Sequence, residues 1–279
     1  AAASPWRPQQ RGGTMIIVND VTKSFGGVAA LQSLSVVIQK ERITGLIGPN
    51  GAGKTTLFNV IAGALKPDSG TVVFDGTDIT GMSPHQLFHR GLLRTFQIAH
   101  EFPTLTVREN LMVVPPGQTG ESLLGAWLRR KEFGRSERAI ARKADEVMDF
   151  LTIGHLADEK AGNLSGGQKK LLELGRTMMT DARAVLLDEV GAGVNPTLLN
   201  ALARAISRLH WERGYTFCMI EHNFSLISRL CDPVIVIAEG KLLAEGAADK
   251  IRRDDRVIEA YLGAGYADRQ EPANAAELR

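Results

Sequence analysis

The densest run of chemistry-bearing residues is Gly48-Pro49-Asn50-Gly51-Ala52-Gly53-Lys54-Thr55-Thr56. It keeps the G-x-x-x-x-G-K-[ST] spacing and sits between an apolar run, 43–48 (ITGLIG), and a segment of helical spacing, 55–65 (TTLFNVIAGAL). A glycine-rich turn that merely contains a lysine would not have both flanks. Glycines let successive N–H groups curl around phosphate oxygens, and the positive end of the following helix adds to the attraction. Lys54 supplies a point charge to the β- and γ-phosphates, and Thr55 offers a hydroxyl to Mg²⁺. Residues 184–189 (AVLLDE) read as a buried strand ending in two carboxylates. Asp188 is placed to serve Mg²⁺, and Glu189 to polarise an attacking water as general base. A third cluster, Leu164-Ser165-Gly166-Gly167-Gln168, opens a helix of about Lys169 to Met179, and its N–H groups suit an anion. Taken alone, that cluster reads more readily as a capped helix after a loop.

The elements that must hold these groups are legible from periodicity. Residues 15–39 form two β-branched runs broken by Gly26-Gly27, 70–76 (GTVVFDG) is a further strand, and 84–91 is a short helix. From about Thr106 to Thr152 the pattern turns helical, with Ser136 as an expected N-cap and Ile140, Ala144, Val147 and Leu151 on the inner face. Asn195-Pro196 begins a helix running to about Arg213. Residues 216–221 (TFCMIE) are an apolar strand, and 233–246 form a hairpin turning near Glu239–Lys241. The order is an α/β core, a helical insertion at about 98–179, and more α/β core, within one domain spanning 15–266. Residues 1–14 and 267–279 read as extensions outside the fold, the first a tag remnant or alternative start and the second a flexible tail.

Composition narrows the function classes. With 33 Lys+Arg against 31 Asp+Glu, the net charge of +2 excludes a strongly basic polyanion binder on bulk electrostatics. Nucleic acid is not an expected partner, since no aromatic-interleaved basic motif appears. The two cysteines, Cys218 and Cys231, build no disulfide framework, so a reducing compartment is the simpler reading. No apolar run reaches the ~18–20 residues of a membrane helix. Between Arg129 and Lys143 lie seven Lys/Arg and two Glu, a local net of +5 that fits a solvated helix face or contact with anionic headgroups.

The three motifs, in this order, resemble the ATP-binding subunits of ABC (ATP-binding cassette) transporters, with LSGGQ as that superfamily's signature. The resemblance runs from about Met15 to Gly263. It implies a phosphate-loop NTPase fold: a mixed-sheet core, an antiparallel β subdomain and an α-helical subdomain. It implies that Phe25 (in KSFGG) stacks on adenine, and that Gln97 (in RTFQ) is the loop glutamine that joins the core to the helical insertion, a catalytic group and a ligand to Mg²⁺. His222 (in IEHN) would be the switch histidine near the γ-phosphate. Within the family, RTFQ, the loop GAGVNP, IEHN and the terminal VIEAYLG look like the subfamily that energises uptake of branched-chain and other hydrophobic amino acids, urea or short amides. By that resemblance two cassettes, identical or different, sandwich ATP head-to-tail, with Ser165 to Gln168 of one facing the ATP of the other. Two transmembrane permease subunits and, indirectly, an extracytoplasmic solute-binding protein complete the assembly, placing this chain on the cytoplasmic face of the inner membrane as a peripheral subunit. The segment 98–111 would carry motion to the permease, with Phe102, Leu105 and Val107 either facing it or packing the insertion.

Two positions depart from the family pattern. Val190 stands where proline usually follows the catalytic glutamate, and Asn195 replaces the loop aspartate, as it often does in the amino-acid uptake subfamily. Neither removes a group that hydrolysis needs, so an active ATPase is expected. The competing readings are a soluble ABC ATPase of an assembly or DNA-associated machine, and the cassette of a lipid or lipopolysaccharide exporter. Against the first, the chain has one cassette and no long coiled coil; against the second stand VIEAYLG and the long insertion.

Overall fold

A computed structural model describes residues 13–95, 101–115 and 130–262. Two compact units emerge, one built from the chain up to Leu87 and from Thr216 onward, the other from Phe88 to Tyr215.

The first unit opens with β1 (Thr14–Phe25) and β2 (Val28–Gln39), which pair antiparallel. Gly26 and Gly27 both carry positive φ, 51° and 93°, as a two-residue hairpin needs to match strand twist. β3 (Ile43–Ile47) is buried along its whole length, as expected for a strand covered on both faces. It leads into α1 (Lys54–Ile61). β4 (Ser69–Phe74) and β5 (Thr77–Asp78) complete an antiparallel sheet in the order β2-β1-β4-β5. Helix α2 (Pro84–His89) takes the chain out of this unit. α1 stops short of the residue 65 expected from its spacing, because Gly63 takes a left-handed φ of 70° against the Met82 carbonyl, where a Cβ would sit 2.1 Å away.

The chain returns to this unit with β8 (Thr216–Ile220), α7 (Phe224–Leu230), β9 (Val234–Ala238) and β10 (Lys241–Gly246), in a numbering that counts the second unit's elements in between. β8, β3 and β9 lie side by side and parallel, and β10 pairs antiparallel to β9. Two short helices close the described chain, α8 (Ala248–Ile251) and α9 (Asp255–Leu262).

The second unit contains the parallel pair β6 (Leu92–Arg94) and β7 (Ala184–Asp188), together with α3 (Val107–Met112), α4 (Arg130–Phe150), α5 (Gly166–Met178) and α6 (Pro196–Arg213). Ala144, Val147 and Leu151 are buried at helical spacing at and just beyond the end of α4, as the periodicity predicts, with Met148 buried beside them, whereas Ile140 is only partly covered. Ser136 is not a cap: the helix already runs from Arg130, so Ser136 lies in its interior. A residue type favoured at caps does not by itself end a helix, and this one runs through Ser136. α6 follows its sequence signals closely: Asn195 accepts the Leu198 N–H at 3.0 Å, Pro196 takes the first position, and Gly214 closes the far end at φ 67°.

Candidate functional site

The phosphate loop spans the gap between β3 and α1, and the backbone behind it explains its glycines. Gly48 has φ 152°, and a Cβ there would lie 2.0 Å from the Ile237 carbonyl oxygen of β9. Gly53, at φ 101°, would press a Cβ to 2.4 Å from the Ala30 oxygen of β2. Ala52 accepts the Gly240 N–H at 3.0 Å from the β9–β10 turn, fixing the middle of the loop. Gly51 faces open space at φ 79°, so here the requirement is conformational rather than steric. Pro49 is partly covered, Asn50 and Thr55 are exposed, Ala52 is buried and Thr56 is half-buried. Lys54 is 7% exposed, and its Nζ donates to the carbonyls of Gly48 (2.7 Å) and Pro49 (2.9 Å). The ammonium is therefore held over the concave side of its own loop by acceptors that a phosphate oxygen can replace.

Two further expected residues lie in the same unit. Phe25 ends β1 with 49% of its surface exposed and the Lys23 Nζ 5.8 Å from its ring centroid. An exposed aromatic at a hairpin is available for stacking rather than spent in the core. His222 is exposed just after β8, next to the buried Glu221, and Asn223 caps α7 through the Leu226 N–H. One residue here escapes a reading by spacing. The Tyr261 hydroxyl, in the last turn of α9, accepts the Gly48 N–H at 2.8 Å. Burial raises its pKa and the Gly48 N–H acts in the opposite direction. Only the terminal motif VIEAYLG marked that tyrosine in the sequence, and without a role.

The second unit carries the carboxylates and the signature. Asp188 is buried at the end of β7, and its Oδ2 accepts from Arg94 Nη2 at 2.7 Å. The neighbouring Thr95 reinforces this strand end: its N–H donates to the Leu186 carbonyl, and its Oγ1 accepts the Asp188 N–H at 3.4 Å. Arg94 is the second functional candidate missed by spacing, although it stands in the RTFQ run. Glu189 is half-buried and takes φ 49°, a left-handed conformation that non-glycine residues seldom adopt. Its carbonyl accepts the Ala192 N–H, and the following Val190 is buried, so apolar packing anchors the loop where the family commonly has a proline ring.

Ser165 and Gln168 form a reciprocal capping box. Ser165 Oγ accepts the Gln168 N–H at 3.4 Å, and Gln168 Oε1 accepts the Ser165 N–H at 2.8 Å. The helix thus begins at Gly166, three residues before the expected Lys169. The two glycines differ. Gly167 abuts α6, where a Cβ would meet Leu198 Cδ1 at 2.5 Å, whereas Gly166 is exposed with nothing nearer than 4.0 Å. Packing demands the second glycine but not the first.

Phe102, Leu105 and Val107 divide. Val107 is fully buried, Leu105 half-buried, and Phe102 is exposed with the Arg176 guanidinium 5.5 Å from its ring. Burial lowers the pKa of Arg176, against the raising effect of Glu173 and Glu101. Asn110, buried on α3, shapes this loop by accepting the Phe102 N–H and donating to the carbonyls of Phe102, Leu105 and Thr106. Gln97 lies outside the described residues. The remaining expected residues thus fall in two sets, Phe25, Gly48–Thr56 and His222 in the first unit and Ser165–Gln168, Asp188 and Glu189 in the second.

Comparison with known proteins gives a consistent result. Residues 31–192 match the family model for ABC transporters, and residues 241–267 match that of the branched-chain amino acid ATP-binding cassette transporter. The chain is 40% identical over 249 residues to a probable branched-chain amino acid transport ATP-binding protein LivG of Archaeoglobus fulgidus, covering 88% of this chain and 94% of that one. It is 36% identical to the high-affinity branched-chain amino acid transport ATP-binding protein BraF of Pseudomonas aeruginosa, covering 88% and 96%. Among solved structures, a nucleotide-free ATP-binding cassette from an ABC transporter superposes with a TM-score of 0.77 at 38% identity, covering 90% of this chain and 99% of that one.

Proposed function

Because the chain belongs to the ABC transporter family of ATP-binding cassettes, we propose that it is the ATP-hydrolysing subunit of an importer for branched-chain amino acids or a related small solute such as urea or an amide. The observation that carries this reading is the phosphate loop itself, braced by β2, β9 and the β9–β10 turn, with Lys54 held over its concave side. The importer assignment draws its support from the C-terminal match and from the relatives' names.

Each residue then has a physical task. N–H groups of the loop and the start of α1 bind the phosphates, and Lys54 exchanges its carbonyl acceptors for phosphate oxygens. Phe25 stacks on the base. Thr55 and Asp188 are oxygen donors, the class that suits Mg²⁺, and no cluster of three or more His, Cys, Asp or Glu competes for a metal among the described residues. Mg²⁺ bound there would neutralise charge on the β- and γ-phosphates, with Gln97 as a further ligand. Glu189 takes a proton from the attacking water, and His222 contacts the γ-phosphate and that water. Ser165 to Gln168 face the ATP held by a second cassette, since the triphosphate needs donors on both sides.

By the same reading the domain spans 15–266 with its helical insertion at about 98–179, and that insertion meets the permease. No helix among the described residues is long and apolar enough to cross a membrane. By the resemblance to transport ATP-binding proteins, passage falls to two transmembrane subunits, fed by an external solute-binding protein, with this cassette docked on the cytoplasmic face.

The test is ATP turnover and binding by the purified chain and two variants. Glu189→Gln is expected to keep nucleotide affinity and lose about 10²-fold or more in kcat, while Lys54→Ala loses affinity itself. Full turnover by Glu189→Gln would remove that residue from its role. Co-purification with two polytopic subunits from native membranes checks the importer assignment, and recovery with soluble proteins alone would overturn it.

A further inference from the structure

The phosphate loop is gripped at its first residue from the other end of the chain. β3 ends at Ile47, so the Gly48 N–H lies beyond the last strand residue, yet Gly48 is buried. A buried N–H without an acceptor costs about as much as a lost hydrogen bond. The acceptor is the Tyr261 hydroxyl, 213 residues away on α9, at 2.8 Å. The carbonyl of the same residue accepts Lys54 Nζ at 2.7 Å. One peptide unit on either side of Gly48 thus links the tyrosine, the start of the loop and the phosphate-binding lysine.

The geometry leaves this residue little freedom. At φ 152° its α-carbon is pressed against the Ile237 carbonyl. The tyrosine is seated differently. α9 is held by the buried Val257, and α8 by the buried Ile251, but a cavity of about 290 Å³ separates these helices from Ile47, His222 and Phe224. Tyr261 itself is 46% exposed. The helix can therefore shift by more than the loop can, and the hydroxyl is where such a shift would be felt.

We infer that Tyr261 is a positioning residue for the nucleotide: its hydroxyl fixes the entry of the phosphate loop and, through Gly48, the resting place of Lys54. It touches no phosphate. This deepens the nucleotide-site reading above and rests on it.

The test is Tyr261→Phe in the full chain, which removes one oxygen and keeps the ring, with Lys54→Ala as reference. Three quantities are read: hydrogen exchange of the peptide containing Gly48, affinity for a fluorescent ATP analogue, and the split between KM and kcat. Tyr261→Phe is expected to speed exchange at Gly48 and to weaken affinity and raise KM by about fivefold to tenfold, the scale of one lost hydrogen bond. kcat should stay within about twofold, while the melting temperature should fall by a few degrees, because the buried Gly48 N–H loses its acceptor even though the ring still packs. A structural role alone would lower the melting temperature and leave affinity in place. Unchanged exchange at Gly48, or unchanged affinity in a variant while the wild type binds and Lys54→Ala does not, overturns the inference. Failure of the wild type to bind the analogue would overturn the nucleotide-site reading and the inference with it.

Discussion

Arg94→Met is the sharpest test of how the second unit's carboxylate is held. The guanidinium and Asp188 are 2.7 Å apart, with only 15% and 6% of their side chains exposed. Methionine keeps most of the apolar length of the arginine and removes its charge and donors. The substitution takes the guanidinium from the Asp188 carboxylate and leaves the residue's own N–H in its long 3.4 Å contact with Thr95 Oγ1. Removing one partner of a buried pair costs about 3–5 kcal/mol, and the partial exposure of Arg94 brings the expected loss just below that range, to about 2–3 kcal/mol. Asp188→Asn should cost less, because the amide can still accept from the guanidinium. In the double variant the methionine no longer strands a charge, so the losses should fall short of their sum by about 1 kcal/mol or more. Urea unfolding followed by far-UV circular dichroism measures all four proteins. Arg256→Ala is the control, because the Arg256 side chain is 65% exposed, solvent screens its pair with Asp254, and a loss of no more than about 0.5 kcal/mol is expected. A loss below about 0.5 kcal/mol in Arg94→Met, or strict additivity in the double variant, would show that solvent screens the pair and refute the reasoning.

Two further outcomes follow from packing and burial. Gly167→Ala should lose about 1–3 kcal/mol because its Cβ meets Leu198 at 2.5 Å, whereas Gly166→Ala should melt like the wild type and lose ATP turnover, a contrast checked by calorimetry beside a phosphate-release assay. Cys218 and Cys231 are both buried, and burial raises their thiol pKa values well above the free value. Since the thiolate is the reactive form, neither should react with a disulfide reagent at pH 8 until denaturant is added, and prompt labelling of the folded protein would contradict this.

What could be read from the sequence was local in origin. The phosphate loop, the Asn195-Pro196 start of α6, the Gly26-Gly27 hairpin and the apolar strands all carry their reasons within a few neighbouring residues. Where local signals competed, the element bounds moved: Ser136 is a good cap type inside a helix that began earlier, and α5 takes in the glycines of SGGQ because Ser165 and Gln168 cap each other. The contacts that set the site were illegible because their partners are remote in the chain. Arg94 and Asp188 are 94 residues apart, and Gly48 and Tyr261 are 213 apart. No periodicity encodes such pairs. The left-handed backbone of Glu189 was equally hidden, since glutamate gives no hint of positive φ.

The bracing of the phosphate loop by Gly240 also sets a clock. Ala52 receives its N–H donor from a residue 188 positions later, and Gly240 in turn accepts the Gln32 N–H through its own carbonyl. A ribosome adding about 5–20 residues per second needs roughly 10–40 s to cover that interval. For most of it the loop, its lysine and β3 wait without the turn that locks them, and without β8 and β9, the strands that flank β3. The nucleotide-binding end of the molecule is therefore the first motif synthesised and among the last completed, and a nascent chain stalled before residue 240 would present the full motif without the brace behind it.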